Sequence, residues 1–71
     1  MFYVLGTDNC PFCHHAKELL REKNLPFQSY DLDDHPLLRF MLHKSNLKTV
    51  PQIWHDGEYI GGYTELKEFT R

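Results

Sequence analysis

The sequence predicts an α/β fold: a mixed four-stranded sheet covered by three helices, in the chain order β-α-β-α-β-β-α. Three observations carry this. Short β-like runs alternate with stretches of helical period. Asp56-Gly57 sits between two such runs, as the turn of a hairpin does. The 71 residues contain no internal repeat, low-complexity tract or linker, which predicts one domain spanning 1–71. Alternating strands and helices favour an early parallel pair, and the hairpin adds an antiparallel one.

Each element has its own signal. Met1 to Leu5 is a continuous apolar run, expected for a strand buried on both faces. Gly6-Thr7-Asp8-Asn9 reads as a loop. From Pro11 the period changes: Phe12, Ala16, Leu19, Leu20 and Lys23 fall on one helical face, opposite His14, His15, Lys17, Glu18, Arg21 and Glu22. Pro11 suits a first turn, where its missing N–H is no loss. Asn24 and Pro26 mark the stop. Phe27 to Leu32 is mixed and polar, which predicts an edge strand. Asp33-Asp34-His35-Pro36 opens a second helix, with Leu37, Leu38, Phe40, Met41 and Leu42 as a broad apolar face ending near Asn46. Thr49-Val50-Pro51 leads into the strand Gln52 to His55, and Glu58-Tyr59-Ile60 returns beside it. Gly61-Gly62 breaks the ladder, and Tyr63 to Phe69 forms a last, short helix ending near Arg71, which predicts modest stability. Tyr3 and Trp54 are expected in the core, and the histidines on the surface.

Composition narrows the function. A chain this short builds a thin core and has no room for a separate cofactor domain. The 8 basic and 10 acidic residues are dispersed, with a net charge of −2, so the basic stripe of a nucleic-acid binder is missing. The longest apolar run is far below the ~18 residues of a membrane span. No export signal is visible, which predicts a cytoplasmic protein. Two cysteines cannot build a multi-disulfide secreted scaffold.

Both cysteines stand in Cys10-Pro11-Phe12-Cys13, at the start of the first helix. Backbone N–H groups there lack intrahelical partners and carry the positive end of the dipole, so they favour a thiolate at Cys10. Cys13, one turn further in, is expected to be more buried and less acidic. The spacing lets the two sulfurs meet: an exposed attacking thiol and a held-back resolving thiol. For any thiol lowered from ~8.5 to ~5.5, the ~30-fold gain in thiolate at pH 7 nearly cancels a ~20-fold loss of nucleophilicity. The benefit lies in departure, because such a sulfur leaves a mixed disulfide readily. Other readings share these residues. Cys10-Pro11-Phe12-Cys13-His14 matches a c-type haem attachment pattern, but the chain is β-rich and shows no export signal. Zinc binding by both cysteines and two of the five histidines lacks a separated second ligand pair. Two plain core cysteines at helical spacing remain the simplest alternative.

A second constellation lies downstream. If the third strand runs antiparallel beside the first, Val50-Pro51 faces Cys10, and the Val50 backbone offers a peptide-like edge to an extended ligand. Pro51 there either starts the strand or holds a cis bond. Gly61-Gly62 followed by Tyr63-Thr64-Glu65 presents backbone amides suited to a carboxylate, with Thr64 as a cap or ligand. A small thiol peptide bearing a carboxylate fits all three pieces.

With Cys10-Pro11-Phe12-Cys13, Thr49-Val50-Pro51-Gln52-Ile53-Trp54, Asp56-Gly57 and Ile60-Gly61-Gly62-Tyr63-Thr64-Glu65-Leu66 together, the whole chain resembles a dithiol glutaredoxin. The resemblance implies a thioredoxin-like fold, a cis Pro51 and glutathione-dependent reduction of protein disulfides and glutathione mixed disulfides. It implies Cys10 as nucleophile and Cys13 as resolving thiol, the two forming the redox disulfide. Phe12 then flanks the sulfur, Thr49, Val50 and Pro51 meet the peptide, and Gly62, Tyr63, Thr64 and Glu65 lie near the γ-glutamyl end. It also implies a monomer with no tightly bound cofactor and no metal, and protein substrates such as ribonucleotide reductase. Two positions depart from the family. Gly6-Thr7-Asp8-Asn9 holds no basic residue before Cys10, and Phe12 stands where a Tyr is common. Within this chemistry, supply from a thioredoxin reductase is the alternative. Outside it stand a module holding zinc or a glutathione-bridged iron–sulfur cluster, and a docking module without redox activity.

Overall fold

Side-chain alternation along the first strand divides the core in two, and the helices follow that division. A computed structural model describes all of residues 1–71. β1 (Phe2–Gly6), β2 (Phe27–Asp31), β3 (Gln52–His55) and β4 (Glu58–Gly61) form one sheet in the order β2-β1-β3-β4. β1 runs parallel to β2 and antiparallel to β3, and β3 pairs antiparallel with β4. The mixed sheet, its edge strand and the order of elements are those the sequence predicts. Phe2 and Val4 join Ala16 and Leu20 of α1 (Pro11–Glu22), Ile53 of β3 and Leu66 of α3 (Tyr63–Phe69). On the opposite face, Leu5 joins Leu32 and Leu42, the latter on α2 (Pro36–Lys44).

Three packing details differ from the sequence expectation. The buried stripe of α1 is Cys13, Ala16 and Leu20, while Phe12 is 57% exposed and Lys23 lies in solvent. One residue of helix is a rotation of about 100°. With Cys13 facing the sheet, Phe12 is turned off it. On α2 only Leu42 is buried, and Leu37, Phe40 and Met41 are exposed. This short helix meets the sheet along one line through Leu38 and Leu42, spaced by a turn. Tyr3, on the Leu5 side of β1, escapes that narrow cover and is 37% exposed, and Trp54 is half-buried against Tyr59.

The hairpin between β3 and β4 turns through Asp56 (φ 49°) and Gly57 (φ 84°), both left-handed, as the twist of a tight hairpin requires. The Asp56 carboxylate accepts a hydrogen bond from the Met1 ammonium at 2.7 Å. That bond, then the charges of His55 and the ammonium, hold the Asp56 carboxyl below its ordinary range. Because the folded value is the lower one, the stabilisation is present above the ordinary carboxyl range. It is lost as pH falls through the folded value. Asp56→Asn keeps a residue that tolerates the left-handed turn. We expect this variant to melt below the parent at neutral pH in low salt, with the two melting curves converging on acidification. A gap that persists in acid would show that the ion pair is not its cause.

Candidate functional site

Cys10 is the N-cap of α1, with extended backbone (φ −110°, ψ 108°) and Pro11 directly after it. Its sulfur takes the place an Asp or Ser oxygen usually fills at such a cap: the Cys13 N–H donates to Cys10 Sγ at 3.2 Å. The same thiol donates to the Val50 carbonyl at 3.7 Å. One amide of the helix start, that of Cys13, thus meets this sulfur. The expected openness of Cys10 is not observed. The residue is only 9% exposed, with the Val50 carbonyl against its sulfur.

Cys13 is 2% exposed and, like Cys10, a free thiol. Burial, reinforced by the hydrogen bond to Cys10, pushes the Cys13 thiol up to about 12; the Thr7 backbone amide and the Lys17 charge oppose the shift. It therefore stays protonated near neutrality until something removes the proton. Gly6 forms the wall behind it. An ideal Cβ on Gly6 would overlap Cys13 Sγ, so the close approach of strand to sulfur requires glycine there. The sequence places Gly6 in a loop. As the last residue of β1 it is a site residue that pattern alone missed, because nothing local marks what packs against a missing side chain.

β1 and β3 pair with Leu5 opposite Gln52, which brings the residues before β3 against Cys10. The Val50–Pro51 bond is cis. Gln52, only 4% exposed, donates through Nε2 to the Thr49 carbonyl at 2.8 Å and the Thr49 hydroxyl at 3.1 Å; its Oε1 accepts from the Tyr59 hydroxyl. This buried amide braces the corner beside Cys10. Its only sequence signal was a polar residue entering an otherwise apolar strand.

Phe12, Thr49, Val50, Pro51, Gly62, Tyr63, Thr64 and Glu65 line one cleft of about 170 Å³. All eight positions that the family resemblance implies for a peptide ligand are therefore neighbours, drawn from the start of α1, the turn before β3 and the start of α3. Gly62 is the N-cap of α3, and its N–H donates to Glu65 Oε1 at 2.7 Å. The turn thus carries its own carboxylate on an amide expected to be open. Thr64 makes no cap bond. Gly61 has φ 126°, and a Cβ there would come within 2.8 Å of Glu65 Cγ, so glycine is needed for this fold-back.

The first two histidines are more engaged than solvated helix residues. His14 Nε2–H donates to the Asp8 carbonyl at 2.6 Å, tying the loop before Cys10 to the helix. His15 forms an aromatic group with Phe12 and Tyr63, its ring 5.9 and 5.8 Å from theirs. No three His, Cys, Asp or Glu side chains converge as metal ligands. No helix is long and apolar enough to cross a membrane.

Comparison with known proteins points the same way. A family profile described as Glutaredoxin matches residues 1–60. Glutaredoxin 3 of Escherichia coli K12 is 42% identical over 64 residues, covering 89% of this chain and 77% of that protein. The crystal structure of glutaredoxin 1 from Francisella tularensis, complexed with cacodylate, superposes with a TM-score of 0.81 at 32% identity, over 97% of this chain and 90% of the other. A buckwheat glutaredoxin–glutathione complex gives a TM-score of 0.83 at 24% identity, over 99% and 67%, and speaks for the fold.

Proposed function

Because this chain belongs to the glutaredoxin family of thiol–disulfide oxidoreductases, we propose that it draws its electrons from glutathione and works through Cys10 and Cys13. The observation that carries this is the position of Cys10 Sγ: hydrogen-bonded to the helix-start amide of Cys13, it faces the Val50 carbonyl, beside the cleft. The Cys10 thiolate attacks the sulfur of glutathione in a mixed disulfide and expels the protein thiolate. A second glutathione then attacks the Cys10-bound one, releasing oxidised glutathione. With a protein disulfide, Cys13 displaces the substrate from Cys10, and two glutathiones reduce the resulting Cys10–Cys13 bond. Hydrogen bonding at the helix start makes Cys10 a good leaving group in each exchange.

Glutathione lies extended against Val50, the strand-like edge, with Thr49 and Pro51 beneath its peptide and Phe12 beside the sulfur. Its γ-glutamyl end reaches Gly62, Tyr63, Thr64 and Glu65. Since Glu65 already occupies the Gly62 amide, its carboxylate meets the γ-glutamyl ammonium, and Thr64 is left for the carboxylate. The protein acts as a cytoplasmic monomer of one domain, with no tightly held cofactor or metal, on protein disulfides such as that of ribonucleotide reductase.

The test compares reductants: turnover supported by glutathione and glutathione reductase should far exceed turnover supported by a thioredoxin reductase. The reverse ranking would assign the protein to the thioredoxin-reductase-fed redoxins. Glu65→Gln, which retains the acceptor for Gly62, should raise KM for a glutathionylated peptide roughly 3- to 10-fold and leave kcat within about twofold. An unchanged KM would remove Glu65 from the binding site.

A further inference from the structure

Cys13 has a second side. Away from the Val50–Pro51 cleft it lines a cavity of about 260 Å³ between β1, β2 and the start of α1. β1 lines this cavity only with Val4 and Gly6, and besides Cys13 the titratable groups facing it are Asp8 before α1, Lys17 on α1, Tyr30 and Asp31 at the end of β2, and Asp34 and His35 before α2. Lys17 is its one ammonium. It follows Cys13 by four residues, one turn along the same helix face. None of the ion pairs in the protein includes it. By contrast, Asp31 is held by the Asp33 N–H, and His35 donates to the Asp31 carbonyl.

The resolving step makes a demand on this side. Cys13 can displace a substrate from Cys10 only after its S–H loses a proton, and a bound substrate then fills the cleft on the other side. We infer that the polar cavity is the proton outlet of the resolving thiol, with Lys17 as a positioning residue that holds the Cys13 thiolate. This deepens the proposed function and rests on its assignment of Cys10 and Cys13. Water entering the cavity takes the Cys13 proton to solvent. The freed sulfur pair forms a bond to Cys10 Sγ, and the Cys10–substrate S–S bond breaks. Its electron pair leaves on the substrate sulfur, which takes a proton from solvent. The cysteine pair is oxidised and the substrate disulfide reduced. Because burial holds the Cys13 thiol up, its thiolate is scarce near neutrality, and the rate of resolution should follow whatever stabilises that thiolate.

Stopped-flow mixing of the reduced protein with one equivalent of dithionitrobenzoate separates the steps. The first thionitrobenzoate reports attack by Cys10 and the second reports resolution by Cys13; Cys13→Ser releases only the first. Lys17→Met should slow the second release about 3- to 10-fold between about pH 6 and 8, shift its pH profile to the alkaline side, and leave the first within about twofold. Lys17→Arg should restore the second release, and added salt should narrow the gap between parent and Lys17→Met. A second release unchanged in Lys17→Met, or both releases slowed alike, would overturn the inference. A parent protein with no fast first release would instead refute the assignment of Cys10 itself.

Discussion

Cys10→Ser is expected to lower both disulfide reduction and deglutathionylation at least about 1000-fold, to the uncatalysed background. A serine oxygen can accept the Cys13 N–H as Cys10 Sγ does, so the helix start should survive. What is lost is a sulfur that attacks a disulfide and leaves again. Cys13→Ser should behave differently. The one-thiol exchange with a glutathionylated peptide should stay within about threefold of the parent, while reduction of an intramolecular protein disulfide collapses, because no second thiol is left to release the trapped substrate. Assaying both substrates with both variants checks the roles. Substantial deglutathionylation by Cys10→Ser, or its loss in Cys13→Ser, would reverse or dissolve them.

Gly6→Ala is expected to have the next largest effect. Its added methyl has no room: an ideal Cβ would clash with Cys13 Sγ and come within 3.1 Å of Cys13 Cβ. Either the end of β1 or the start of α1 must move. Such overpacking costs about 1–3 kcal/mol, which in a domain of this size lowers the melting temperature by about 5–20 °C. Resolution by Cys13 should suffer more than attack by Cys10, since the displaced sulfur is the resolving one. A double-mutant cycle tests the cause. In a Cys13→Ser background the smaller oxygen relieves the overlap, so Gly6→Ala should cost measurably less there. An equal cost in both backgrounds would mean that the methyl acts on the strand and not on the sulfur.

Local signals carried most of the fold. The period change at Pro11, the acidic and proline-bearing entry to α2, and Asp56-Gly57 each report a backbone preference that needs no distant partner. The elements therefore lie where the sequence places them. Which residue of a helix faces the sheet is a different kind of question. Phe12 and Cys13 are adjacent and both apolar, and hydropathy favours burying the larger. The structure buries Cys13 and leaves Phe12 at the cleft, because the sulfur must sit behind Cys10 and against Gly6. The same holds for α2, where an apolar count cannot tell a line of contact at Leu38 and Leu42 from a broad face.

By itself, then, the sequence determined the order of the elements and the spacing of Cys10 and Cys13, both legible along the chain. The approach of Val50 to Cys10 follows only if β3 runs antiparallel to β1, and the residues of the cleft are implied by the family resemblance. Only the tertiary structure decided what the site residues do to one another. Val50 covers the attacking sulfur, Glu65 takes the amide of its own turn, Gln52 braces Thr49, and Lys17 turns from a solvated helix position toward the cavity behind Cys13. Those relations depend on which side chains fill the space between elements far apart in the chain. Packing and hydrogen-bond satisfaction settle that only when every element is in place.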